Sequence, residues 1–150
     1  MRRKDREISD LGEIESIIQG ADICRLAFCD RNIPYVVPLC FGYTRGEIYF
    51  HSAKEGRKLD MLHNNGRVCF EMDIDQELIR SMDRCSMRYR SVIGYGLASI
   101  VEEQDEKARA LDLIMNHYHQ EPIIYPEEAL ERTVIIKVEI EEITGKACGY

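Results

Sequence analysis

Residues 23–52 read ICRLAFC-DRN-IPYVVPLCFGY-TRG-EIYFHS: three apolar runs rich in β-branched and aromatic residues, separated by Asp30-Arg31-Asn32 and Thr44-Arg45-Gly46. Short runs of this kind bounded by polar turn residues are strands joined by hairpins, so the stretch predicts a three-stranded β-meander. Pro34 and Pro38 fall in the middle run. Proline cannot donate to a sheet ladder, and that strand is therefore predicted to lie at an edge, to be bulged, or to face a ligand near Pro38.

Upstream, Asp10 and Glu13 have capping-box spacing, and Leu11, Ile14, Ile17 and Ile18 share a helical face that ends at Gly20. Downstream, residues 54–65 predict a helix closed by Asn64-Asn65-Gly66, and RVCFEMD (67–73) a fourth strand. Residues 75–88 are polar and interrupted and read as a loop with one helical turn. YRSVIGYGLASIVEE (89–103) is a long fifth strand, with Gly94 and Gly96 on one face where a bulge, a sharp barrel bend or the close approach of another group is expected, the bend being favoured. Residues 105–118 form a helix with Ala108, Leu111, Met115 and Tyr118 on one stripe, and 133–146 alternate as a half-buried sixth strand. The fold class is mainly β: a six-stranded antiparallel split barrel with flanking helices.

A chain of 150 residues, 45% hydrophobic and 31% charged, suits one globular domain over residues 1–150, with one barrel flank left for a partner. No apolar run approaches the ~20 residues of a membrane span, and MRRKDREISD has no apolar stretch behind its basic residues, so a cytoplasmic protein without membrane attachment is expected. A net charge of −7 with no basic run beyond the first residues argues against nucleic acid. Six cysteines without a C-x-x-C pair read as free thiols. His117 and His119, two apart, point to different faces, so no metal site is expected.

The third run alternates Ile48 and Phe50 against Tyr49 and His51 and passes through Ser52-Ala53 into a helix start carrying Lys54, Arg57 and Lys58. A helix N-terminus already bears partial positive charge, so each cation there costs about 0.3–1 kcal/mol unless an anion offsets it or water solvates it. Exposed N–H groups, a hydroxyl, a guanidinium and an ammonium match a phosphate monoester. Val37, Pro38 and Leu39 leave backbone groups free beside Pro38 for a flat ring, and an ordinary edge strand explains them equally. P-loop, G-x-G-x-x-G, G-x-S-x-G and H-E-x-x-H motifs are all absent.

The succession PYVVPLCFGY, GEIYFHSAKEGRKLDML, RVCFE and YRSVIGYG closely resembles the FMN-binding split-barrel proteins, in the branch related to nitroimidazole-resistance proteins and, more distantly, pyridoxamine 5′-phosphate oxidase. The resemblance implies a homodimer with FMN at the subunit interface. It assigns Arg57 and Lys58 to the flavin phosphate, Lys58 being the firmer match. It places Val37, Pro38 and Leu39 alongside the isoalloxazine, with Ser52, Ala53, Ser91 and Val92 close to the cofactor. His51 corresponds to a strand-end histidine near the flavin, tied in that branch to nitro-group chemistry, and is the catalytic candidate. The implied function is a flavin-dependent oxidoreductase acting on a small acceptor, nitroaromatics included. The alternative is a non-catalytic flavin- or haem-binding or sensing protein in which His51 is an axial ligand or structural. The oxidase has a C-terminal basic segment where this chain reads ITGKACGY, so pyridoxamine phosphate oxidation itself is not expected.

Overall fold

A computed structural model describes residues 3–80, 85–121 and 124–150. A 3-10 turn at Lys4–Arg6 precedes β1 (Glu7–Ile8), α1 (Leu11–Gly20), β2 (Cys24–Asp30), β3 (Ile33–Leu39), β4 (Gly42–Thr44) and β5 (Glu47–Ser52). Then follow α2 (Arg57–Asn64), β6 (Arg67–Arg80), β7 (Cys85–Ile100), α3 (Gln104–His117), α4 (Glu127–Arg132) and β8 (Val134–Cys148). The capping box is half realised: the Glu13 N–H donates to the Asp10 carboxylate at 2.8 Å. Arg31 and Asn32 take φ of 48° and 65°, the paired left-handed conformation that matches a two-residue hairpin loop to strand twist.

The sheet is antiparallel with strand order β3-β2-β6-β7-β8-β5-β4, and β1 pairs with β8 off this path. β3 and β4 occupy opposite edges, yet only Cys40 and Phe41 separate them in the chain. Across a flat sheet those edges would stand about 29 Å apart at ~4.8 Å per strand. Two residues reach only about 11 Å. The sheet must therefore curl until its edges nearly meet, and because β3 and β4 share no ladder the barrel stays split along that line. Phe28, Phe41, Phe50 and Phe70 fill its interior with Ile17 and Ile18 of α1.

Gly94 and Gly96 are required by this curvature. A Cβ on Gly94 would collide with the Phe70 ring, and one on Gly96 with the Glu139 carbonyl, where the β7–β8 register shifts.

Three predicted features change. The strands number eight rather than six, because the predicted second strand breaks at Cys40-Phe41 and β1 is too short for a periodic signal. Residues 75–80 and 85–88, predicted as loop, instead extend β6 and β7 as a hairpin arm; the remainder of that segment, 81–84, lies outside the described residues. Leu78 and Met87 pair across the arm while both remain exposed, so no core face imposes the alternation that marks a strand. In α3 the buried centre is Ala110 and Ile114, with the predicted stripe flanking it half-buried.

α3 lies against β4 and β5. Gly42 permits the approach, since a Cβ there would stand 2.6 Å from the Ile114 nitrogen. Polar groups fix the docking: Lys137 Nζ lies 3.1 Å from Glu47 and 3.3 Å from Glu106, and the Tyr49 hydroxyl lies 2.9 Å and 3.1 Å from the same two carboxylates. Burial alone would raise the Glu47 carboxyl, but hydrogen bonds from Lys137 and Tyr49 outweigh it and hold it below the usual value of 4.5.

Two outcomes follow from these contacts. Gly94→Ala is expected to lose about 1–3 kcal/mol in urea unfolding through overpacking against Phe70. Because the folded Glu47 value is depressed, its contribution is complete above about pH 4.5 and is lost as pH falls through the folded value. Hydrogen exchange, corrected for intrinsic rates, should show α3 loosening below about pH 4.5 before β6 and β7 do, and simultaneous loosening would contradict this.

Candidate functional site

The free edge of β3 is the starting point. Pro34 and Pro38 are four residues apart, so their nitrogens point the same way, and pointing away from β2 costs no ladder bond. On that parity the open edge presents the carbonyls of Pro34, Val36 and Pro38 and the N–H of Val36, an acceptor-rich rim. Val37 and Leu39 send half-buried side chains into the core, whereas Pro38 is exposed on the outer face.

Across the split, the β4–β5 ladder ends at Gly42–Tyr49. Continuing its register would set Cys40 opposite His51 and Leu39 opposite Ser52. The end of β5 thus faces the β3 edge without pairing to it. His51 is exposed on the same outer face as Tyr49 and pairs with Ile135 of β8. Ser52 is buried and its hydroxyl donates to the Ala53 carbonyl at 2.8 Å, leaving its lone pairs as its remaining capacity. Ala53 is exposed.

The loop after Ser52 reaches Gly56, whose φ of 136° starts α2 without any side-chain cap. The N–H groups of Arg57 and Lys58 are therefore open, while that of Leu59 donates to the Gly56 carbonyl at 2.9 Å. Arg57 lies over the Tyr35 ring of β3, 4.8 Å from its centroid, so the guanidinium bridges helix and strand through a cation–π contact. Lys58 is half-buried. Among the described residues neither it nor Lys54 forms an ion pair, unlike Arg25, Arg67, Arg90 and Lys137. The cations at the helix start are thus not neutralised from within the protein. Tyr35 escapes sequence reasoning as a site residue, although its alternation with Val37 and Leu39 placed it on their face.

Ser91 and Val92 lie on β7, far along that strand from the register of His51 and three strands across the sheet from Pro38. Val101 bonds to Ile135, the partner of His51, and Ser91 lies ten residues earlier on β7, roughly 30 Å along the strand. Ser91 is half-buried opposite Asp73 and Lys146. Val92 is wholly buried, and its backbone is paired opposite Met72 on one side and Gly145 on the other. On the outer face beyond Ser91 run Ile93, Tyr95 and Leu97. Together with Val36 of β3, 59% exposed, they make an uncovered apolar stripe beside a groove of about 550 Å³ lined by Ala27, Cys29, Pro34, Cys69 and Tyr95.

A model of the family described as pyridoxamine 5′-phosphate oxidase matches residues 10–147. The chain belongs to this family. A proposed 5-nitroimidazole antibiotic resistance protein from Bacteroides thetaiotaomicron is 37% identical, over 94% of this chain and 86% of that one, with a TM-score of 0.88. The structure described as the FAD and heme binding protein from Mycobacterium smegmatis covers 97% of this chain and 74% of its own at a TM-score of 0.84, but at 17% identity it shows the fold alone. An uncharacterised Rhizobium meliloti protein is 28% identical over 60 residues, so the match spans 40% of this chain and 39% of that protein. The antiparallel split barrel with flanking helices is the architecture this family member shares with these structures. No described helix is long and apolar enough to cross a membrane.

The Arg57–Tyr35 contact carries a consequence for stability. Tyr35→Leu should remove the cation–π term and lower stability by about 0.5–1 kcal/mol, because the pair is partly exposed. Tyr35→Phe, which keeps the ring face, should change denaturant midpoints little.

Proposed function

We propose that the chain is an FMN-dependent oxidoreductase, a homodimer with flavin at the subunit interface, that reduces a small acceptor, with nitroaromatic compounds as the candidate class. The observation that carries this reading is the juxtaposition of an uncapped helix start bearing unpaired Lys58 with a strand edge of free acceptors and an exposed histidine. The chemistry of this donor set fits the cofactor: N–H groups and an ammonium for a phosphate, and backbone carbonyls for the N–H of a flat heterocycle. The 37% identity to the Bacteroides protein supports the acceptor class.

In this reading Lys58 and the first turn of α2 hold the phosphate, while Arg57, anchored on Tyr35, adds positive potential. Val37, Pro38 and Leu39 line one edge of the ring, and Ser52 and Ala53 close the corner between strand and helix. His51 stands beside the ring to give a proton or hydrogen bond to bound substrate, a role within the reach of an exposed imidazole. When bound, the flavin supplies electron transfer between an external donor and the acceptor. Ser91, with the buried Val92 beside it, approaches from the second subunit, since along β7 it stands ten residues from the Val101–Ile135 contact beside His51. The apolar stripe of Ile93, Tyr95, Leu97 and Val36 is the surface that second subunit covers.

Absorbance titration tests the cradle. FMN should bind, riboflavin far more weakly, and Lys58→Ala should lose about 10- to 100-fold in FMN affinity, the worth of a hydrogen bond to a charged group. Equal affinity for riboflavin and FMN would refute the phosphate assignment. Anaerobic mixing with NADH or NADPH, then with a nitroaromatic, tests the enzyme. His51→Ala should retain flavin yet slow the acceptor step and change its pH profile. A loaded protein that neither donor reduces would be a binder instead, and a Soret band in the purified protein would make it a haem binder.

A further inference from the structure

The chain leaves its pairing with β2 at Leu39 and joins β5 at Gly42, and the two residues between are held by the end of α3. Extending the β2–β3 register past Cys24↔Leu39 sets Asp22 opposite Phe41. That pair does not bond directly. The Phe41 N–H donates to the Tyr118 hydroxyl at 3.2 Å, and the hydroxyl donates to the Asp22 carbonyl at 2.7 Å. A hydroxyl can accept one bond while donating another, so Tyr118 satisfies both backbone groups and still holds the two segments apart.

His117 fastens the same place from a second direction. Its ring lies 4.1 Å from that of fully buried Phe41, and its Nε2 lies 2.8 Å from the Ala21 carbonyl, a contact in which Nε2 carries the proton. Burial pushes the Tyr118 hydroxyl up to about 12, so its proton is retained at physiological pH. Gly42, pressed on the backbone of α3, leaves the crossing little room to move.

We propose that Tyr118 is a positioning residue for the flavin ring: its hydroxyl, inserted between Asp22 and Phe41, sets where the chain crosses the split and so fixes the Val37–Leu39 edge relative to His51. This rests on the flavin reading above. Without the hydroxyl, Phe41 and Asp22 either close to a direct bond of about 2.9 Å, pulling Leu39–Phe41 toward β2, or stay unpaired and loosen it. Both outcomes disturb the edge that meets the ring, and neither removes a group that touches it.

The test is Tyr118→Phe in the full chain, measured by FMN affinity, the visible spectrum and midpoint potential of bound FMN, and hydrogen exchange over residues 36–42 without flavin. The expected result is a folded protein with about 3- to 10-fold weaker FMN binding, a shifted flavin spectrum and potential, and faster exchange at Phe41. A variant matching wild type in affinity, spectrum and exchange overturns the inference while leaving the flavin reading intact. Wild-type protein that binds no FMN removes both. Should the variant fail to fold, the wild-type protein decides: the Phe41 amide must exchange as slowly as the paired amides of β3, and rapid exchange overturns the role given to Tyr118.

Discussion

Two residues, Cys40 and Phe41, tie together the opposite edges of a sheet, and that short tether governs the rest of the molecule. It forces the sheet to curl, it places the open edge of β3 across from the end of β5, and it leaves a seam where neither strand has its full complement of partners. A tighter link would have forced the edges into one ladder and closed the barrel. A longer one would have let them drift apart, with nothing to define a site between them. The seam combines unpaired backbone acceptors, the uncapped start of α2 and an exposed imidazole, three features that would each be an uncompensated cost in a closed barrel.

The helices around the seam divide the work. α1 plugs the barrel with Ile14, Ile17 and Ile18, and its Glu15 accepts a hydrogen bond from the Tyr43 hydroxyl of β4 at 3.1 Å. α2 is short and brings charge. α3 is fixed at both ends, through the Lys137 network at one and Tyr118 and His117 at the other. The exposed pairs elsewhere, such as Arg67 with Glu141, lie on the solvated surface and are worth little individually.

How much of this was legible from the sequence depends on the range of the interaction concerned. The β2–β3 hairpin, the Asp10 cap and the glycine requirement in β7 follow from local chemistry and appear where predicted, and of the three alternatives for the proline strand the structure shows the edge. The break at Cys40-Phe41 was not legible, because IPYVVPLCFGY is continuously apolar and the Phe41 N–H finds its partner in Tyr118, 77 residues away. The β6–β7 arm was missed for the opposite reason: its ladder is local, but its residues face solvent on both sides and lack any pattern. His51, Arg57 and Lys58 were legible as a group because strand and helix start are contiguous in sequence. Ser91 was not separable from them, since only the strand register shows that it stands at the opposite end of β7 from His51.

The most direct test of the account is a crystal structure of the protein grown with FMN. The account predicts two chains related by twofold symmetry, with the phosphate at the N-terminus of α2 beside Lys58 and the ring along Val37–Leu39 within reach of His51. Ser91 should approach it from the second chain. Flavin bound instead in the groove formed by Cys29, Cys69 and Tyr95, with the seam empty, would contradict it.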